Sequence, residues 1–476
     1  MGRWRIGLAM AAAVVFAVVA IPGGLYWAMT AHFNPPPPAA VAHPGADPLT
    51  AQREDIGQFA KLVALDRSYS DAARREANAA LVALASRNEV LGPPKLRMAL
   101  MQVAALADNG HTAAYAGKGG RPNAAPIRLY DFADGVRVLR AEAPESDLLG
   151  AELTRVEGRP VAQVIDVLST YRGGRAEARR HWAVGILNSP QILFGAGLAR
   201  DPSVAAWTFR LPDGRTAERT LAGEPQADEA PRPEPPRWLS PLPLPNEGPG
   251  WRAYLPADAR LPLAWRDANR AFRFAWVDQG CVAYLQLRAN ADVDGQSIAA
   301  FQREARRALK QRQACGLVLD LRFDGGGDYT TTAFFARDLP RLSSPAGKIA
   351  VITGVDTFSA GITTAGFVKQ AGGARVSIVG EPVGDRLDFW SEGGSGCLPH
   401  EKLCLHYATG RHRYDGPCSD WRTCYWLNWL FPVRVKTLEP DEAVPLEFAD
   451  YVALRDPAFE QALAVVRRPA LAGVAR

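Results

Sequence analysis

Two short segments hold the residues whose types and spacing could do chemistry. In Gly354-Val-Asp-Thr-Phe-Ser359-Ala360-Gly361, a serine falls between an apolar run and the start of a helical pattern. A serine there can be a plain helix N-cap, its oxygen satisfying an amide of the first turn. It can also be a nucleophile, because one sharp strand-to-helix turn exposes the hydroxyl and aims the Ala360 amide and helix dipole at developing negative charge. That is the logic of a nucleophile elbow, although Gly-x-Ser-x-Gly itself is absent. The second segment is Asp320-Leu-Arg-Phe-Asp-Gly325-Gly326-Gly327-Asp328. Consecutive glycines permit positive φ and leave amides uncovered, so this loop can cradle a phosphate or an oxyanion. It lacks the Gly-Lys-Ser/Thr ending of a nucleotide-binding loop.

Those segments need a frame. Strand-like runs at Phe272–Trp276 and Val282–Leu287 meet at the Asp278-Gln-Gly280 turn, and a helix is expected from Ser297 to Gln311. A buried strand within 315–322, a helix at 331–337, a strand at 348–353, a helix at 359–370 and a strand at 375–380 follow. Strands alternating with helices indicate right-handed βαβ units and an α/β core. Upstream, residues 48–115 read as a helical unit, 116–223 as a β-rich unit, and 224–250 as a proline-saturated linker.

The 476 residues carry a net charge of +5, from 55 Lys+Arg against 50 Asp+Glu, which argues against a dedicated nucleic-acid binder. Only eight of the basic residues are lysines. Arg3 and Arg5 precede an uncharged apolar run from Ile6 to Met29, long enough as a helix to cross a bilayer. Residues 1–30 therefore read as a signal anchor, with a cleaved signal peptide as the competing reading. The flanking arginines keep the amino end inside and place the chain on the extracytoplasmic side of the inner membrane. Pro35 to Pro38, within 31–47, read as a spacer lifting the body off the membrane. Cys397, Cys404, Cys418 and Cys424 crowd one stretch whose spacing does not match zinc modules, and disulfides fit an exported chain better. Cys281 and Cys315 read as buried hydrophobes. No metal or cofactor is expected.

In order and content the two chemical segments resemble the carboxyl-terminal processing, or tail-specific, proteases of peptidase family S41. The residues that carry the resemblance are Asp320-Leu-Arg-Phe-Asp-Gly-Gly-Gly327, Thr357-Phe-Ser-Ala-Gly361 and Val379-Gly-Glu-Pro382. Glu439-Pro440-Asp441 and Asp456-Pro457 are similar to the family's end. The resemblance implies a crotonase/ClpP-like α/β protease core over 251–470 with a cysteine-rich insertion at 397–424. It also implies a PDZ-like domain at 116–223 that captures chain termini by β-augmentation, and polypeptide substrates. Ser359 would be the nucleophile, with Gly325, Gly326 and Ala360 donating to the oxyanion.

A serine needs a base. Many family members supply a lysine soon after Gly-Glu-Pro, but here the run is Gly380-Glu-Pro-Val-Gly-Asp385-Arg386-Leu-Asp388. A guanidinium does not deprotonate, so Arg386 cannot serve. Lys369 reads as a surface lysine nearly three turns along the serine's helix. The histidine-using, tricorn-like branch carries Asp-Gly-His-Thr ahead of its PDZ-like unit, and Asp108-Asn-Gly110-His111-Thr112 matches apart from one added residue. The resemblance thus names His111 as base, ahead of His400, His406 and His412. Triad logic asks for an orienting carboxylate, for which Glu439 is the nominee and Asp385 the reserve. The expectation is a membrane-anchored serine endopeptidase. Two alternatives stand beside it: an inactive relative that binds peptides through the PDZ-like unit, and crotonase-type acyl-CoA chemistry, disfavoured by export.

Overall fold

The structure is a computed structural model and describes residues 21–227, 235–244 and 247–467. Most of the expected membrane span, residues 1–20, lies outside them. No described helix is long and apolar enough to cross a membrane.

The core is a six-stranded sheet. Its order is Glu442–Ala443, Val376–Gly380, Ile349–Thr353, Gly316–Asp320, Val282–Leu287, Phe272–Val277, all parallel except the last. Parallel strands are covered on both faces, so their sequences run continuously apolar. Here Leu317, Leu319, Ile349 and Val351 point to a face shared with the helices Ile298–Gln311, Thr330–Leu342 and Ala360–Gly372. Val318, Ala350 and Ile352 point the other way, onto Ala458, Ala462 and Val465 of the helix Pro457–Arg467. Each fully buried Leu, Ile or Val contributes about 1.5–3 kcal/mol by leaving water. Ser297 caps its helix by accepting from the Ala300 amide at 3.4 Å.

The β-rich unit is an antiparallel sheet ordered Ile127–Phe132, Gly135–Glu142, Glu152–Val156, Val204–Arg210, Thr216–Ala222, with the helices Val161–Ser169 and Ala176–Val184 after its third strand. The helices Pro48–Leu65, Asp71–Ala85 and Pro93–Ala105 form the preceding unit, and Asp47 and Ser70 cap the first two. Both units share one apolar core, which also takes in Leu403, Leu405 and Tyr407 of the cysteine-rich insertion.

Three segments behave differently from the sequence expectation. The insertion is stapled by disulfides but is more than a loop: its strand Leu403–Tyr407 pairs with Ala113–Ala116 just after His111, tying the helical unit to the core. The described part of the proline-rich stretch is docked, because Leu239 and Leu244 are buried and Glu247 ion-pairs Arg140 at 2.7 Å. Pro35 and Pro38 lie on the body rather than spanning free space, their carbonyls accepting from Tyr407 Oη and Gln58 Nε2.

The four clustered cysteines form the disulfides Cys397–Cys404 and Cys418–Cys424. Cys281 and Cys315 are also bonded to each other, which corrects the reading of them as simple buried hydrophobes. The cause is register. Val282 lies opposite Gly316 in the parallel ladder, so the residues preceding them are neighbours, with Cα atoms 5.4 Å apart. The bond closes a separation of 34 residues, so the double variant Cys281→Ser/Cys315→Ser should lose about 3–4 kcal/mol. A lowered urea midpoint, with a slope that rises as the uncrosslinked unfolded chain exposes more surface, would register that loss.

Candidate active site

Ser359 stands where the strand Ile349–Thr353 turns into the helix Ala360–Gly372, and its backbone is strained, with φ 52° and ψ −120°. Its hydroxyl makes no capping hydrogen bond, so the N-cap reading does not describe it. Strain of this kind costs about 1–3 kcal/mol and persists only where its surroundings impose it. The surroundings are specific. Thr357, fully buried, donates from Oγ1 to the Leu321 carbonyl at 2.7 Å and accepts from the Gly354 amide at 3.0 Å. The Phe358 amide donates to the Asp324 carbonyl at 2.9 Å.

The glycine loop presses on this elbow. A Cβ on Gly326, at φ +110°, would stand 2.7 Å from Ser359 Cβ, and one on Gly361 would stand 2.5 Å from the Asp324 carbonyl oxygen. Both approaches require glycine. The Gly326 amide is engaged at rest, donating to Asp324 Oδ1 at 3.1 Å. Gly327 and Ala360 line the cavity containing Ser359, whereas Gly325 and Gly326 are not among its lining residues. The Ala360 amide belongs to the first turn of its helix, where amides lack intrahelical acceptors. Burial pushes the Asp324 carboxyl well above the usual carboxylate range, against the Gly326 amide, which lowers it.

His111 arrives from another unit on a tightly held turn. Asp108 has φ 47°. Arg386 donates from Nη1 to the Asp108 carbonyl at 2.7 Å and pairs with its carboxylate at 3.0 Å. Arg172 donates to the Gly110 carbonyl at 2.8 Å, and Asn109 Oδ1 accepts from the Trp390 amide at 3.1 Å. Thr112 Oγ1 donates to Asp66 Oδ2 at 2.6 Å, and that oxygen also accepts from the Ala408 amide at 2.9 Å. Burial raises the Asp66 pKa, while these hydrogen bonds oppose the rise. A Cβ on Gly110 would lie 2.6 Å from Asp385 Oδ2.

The imidazole is held between Phe358 at 4.3 Å and Phe389 at 5.4 Å, centroid to centroid. Its Nδ1 is 3.5 Å from Asp385 Oδ2, and Asp385 is 1% exposed. Both ring nitrogens and Asp385 Oδ2 are buried and without hydrogen-bond partners. Separations of this length in a substrate-free site tighten when the reacting complex forms. Ser359 and His111 line one cavity of about 250 Å³, with Gly327, Ala360, Glu392 and Asn34.

The other nominees lie elsewhere or are engaged. Glu439 is 55% exposed and pairs with Arg175 at 2.5 Å, so the carboxylate at the ring is the reserve, Asp385. His412 shares the cavity, but its nitrogens face Tyr414 Oη and Ser391 Oγ, each at 3.2 Å. His406 Nδ1 faces Ser395 Oγ at 3.1 Å, and His400 pairs with Glu54 at 2.6 Å. Lys369 bonds the Val376 carbonyl and Asp441 at the far end of the serine's helix. Sequence reasoning did not single out Phe358, Phe389 or Asn34. Phe358 adjoins the serine, which was a usable signal; Asn34 had none.

No known protein-family model matches the sequence, and no curated protein matches it. Among solved structures, mature CPAF complexed with lactacystin superposes with a TM-score of 0.55 at 13% identity, covering 88% of this chain and 98% of that one. A CPAF mutant gives 0.55 at 14% identity over 90% and 99%. The photosystem II D1 C-terminal processing protease is matched at 0.36, 14% identity, over 83% and 93%, too low to carry an argument. The chain therefore has the fold of a tail-specific, S41-type protease, shared with CPAF over nearly the whole of both chains.

The two loop glycines should separate cleanly on substitution. Nothing lies within 4 Å of a Cβ on Gly325. Gly325→Ala should leave the melting temperature within a degree or two, and Gly326→Ala should lower stability by about 1–3 kcal/mol through strain at positive φ. Differential scanning calorimetry of the pair checks this.

Proposed function

We propose that this protein is a serine endopeptidase of the tail-specific type, held at the outer face of the inner membrane. The observation that carries the reading is the strained Ser359, its hydroxyl capping nothing, sharing a cavity with a histidine whose buried ring nitrogens make no hydrogen bond and whose Nδ1 faces Asp385. Ser359 Oγ attacks the scissile carbonyl carbon while His111 Nε2 takes the hydroxyl proton. Asp385 faces Nδ1, fixes the tautomer and stabilises the imidazolium that forms. The carbonyl oxygen becomes an oxyanion at the Ala360 and Gly327 amides. Collapse breaks the C–N bond, and His111 returns the proton to the leaving amine. Water then attacks the acyl-enzyme with His111 again as base, releasing the new carboxyl terminus.

The sheet unit 127–222 is proposed to act as a PDZ-like captor of chain termini. Its helix Ala176–Val184 places His181 Nε2 3.8 Å from Asp356 in the serine loop, so a bound terminus would sit on a unit that touches the elbow. Three disulfides support an oxidising, extracytoplasmic compartment. The uncharged run Ile6–Ala20 supports an anchor.

The full-length protein, assayed on casein and on fluorogenic peptides, should hydrolyse both. Ser359→Ala should abolish turnover and Asp385→Asn should lower kcat by roughly 10³–10⁴-fold, as loss of a triad carboxylate does. Glu439→Gln should stay within about twofold of wild type, as its exposed ion pair contributes little. Full activity in Ser359→Ala would overturn the reading, and a neutral Asp385→Asn would remove the aspartate from it.

A further inference from the structure

The helix Ile21–Phe33 joins the body only through its last turns. Met29 and Phe33 are buried in the protease core, whereas Leu25, Tyr26 and Trp27 are 61%, 67% and 73% exposed. Gly23 and Gly24 meet nothing within 4 Å. A helix solvated on every side is normally polar. This one has no Asp, Glu, Lys or Arg, and neither has the preceding run Ile6–Ala20, which lies outside the described residues.

A second apolar group flanks it. The His32 ring stacks on Trp421 at 6.0 Å and on Trp426 at 5.6 Å. Trp421, Trp429 and Leu430 are 56%, 48% and 70% exposed. They are held out by structure rather than by looseness. The Cys418–Cys424 disulfide closes the loop, and Trp426 and Trp429 donate their indole N–H to the carbonyls of Trp421 and Cys418 at 2.8 and 3.0 Å. Rings with an apolar body outward suit the interfacial layer of a bilayer.

The same chain leads directly to the reacting serine. The Phe33 carbonyl accepts from the Gly393 amide at 2.8 Å, and Asn34 lines the cavity with Ser359 and His111. Seven residues separate Trp27 from Asn34, about 10 Å along a helix.

We propose that the exposed end of this helix and the Trp421–Leu430 loop rest in a bilayer interface, and that the substrates are membrane-attached polypeptides cut close to the membrane. This rests on the protease reading above. With the serine roughly 10–20 Å above the interface, an extended substrate at about 3.4 Å per residue needs some three to six residues between bilayer and scissile bond.

The full chain in liposomes would be given one fluorogenic peptide on a lipid anchor, with spacers of about two, six, twelve and forty residues, beside the untethered peptide. The expected profile is no cleavage at the shortest spacer, fastest cleavage at the middle two, and a rate about tenfold lower at the longest as effective concentration falls. The native cysteines are all disulfide-bonded, so a thiol-reactive NBD dye can mark Trp429→Cys alone. It should be quenched by brominated lipid, while the same dye on Val82→Cys, on an exposed helix face of the helical unit, should not. Equal rates at every spacer overturn the proposal and leave proteolysis standing. An unquenched dye at position 429, with or without a concentration-dependent dimer, overturns the membrane surface. No cleavage of even the untethered peptide removes the protease reading and the substrate class with it.

Discussion

Arg386 of the core grips Asp108, donating to its carbonyl and pairing with its carboxylate. A guanidinium does not deprotonate, but here it holds in place the turn that carries His111, the proposed base. The serine belongs to the α/β core and the histidine to a segment between the helical and β-rich units, nearly 250 residues earlier in the chain. Nothing local could align them. Alignment comes from four clamps on five residues: Arg386 and the Trp390 amide from the core, Arg172 from the β-rich unit, and Asp66 from the helical unit. Asp66 also accepts from Ala408 of the insertion, so one buried carboxylate joins the helical unit, the histidine turn and the core. Competence in the proposed chemistry therefore depends on all the units being docked.

The serine side follows a complementary logic. Its backbone is held in a conformation that side chains rarely adopt, and glycines at 326 and 361 let the loop from the neighbouring strand press against it. Loop and elbow are built at the carboxyl ends of adjacent parallel strands, where an α/β sheet presents its sites. The Asp320–Arg322–Asp456 ion network beneath them, with Tyr284 donating to Asp320 at 2.8 Å, is almost entirely buried and serves to fix the loop's base.

Much of this was legible in the sequence because buried parallel strands write themselves as unbroken apolar runs. The strand Val282–Leu287 and the helix starting at Ser359–Ala360 fall where the pattern puts them. The segments 320–328 and 354–361 were legible as a pair through their order and their resemblance to the S41 proteases, since a glycine turn or a helix-start serine alone has structural readings too. Partners across the fold were not. Asp385 and Glu439 are both acidic residues after the serine, and only the tertiary arrangement sends one to His111 and the other to Arg175. The Cys281–Cys315 bond depends on strand register, which composition does not encode. The docked proline-rich stretch was read from its prolines, while Leu239, Leu244 and Glu247 decide its packing.

The helix Ile21–Phe33 packs on the core through Met29 and Phe33 and leads straight to Asn34, which lines the cavity with Ser359. The central claim remains the nucleophile. Its most direct measurement is fluorophosphonate labelling of the folded, full-length protein, followed by mass spectrometry of the digested adduct. The account requires a single phosphonylated peptide containing Ser359. Labelling at another serine, or equal labelling of Ser359→Ala, would contradict it.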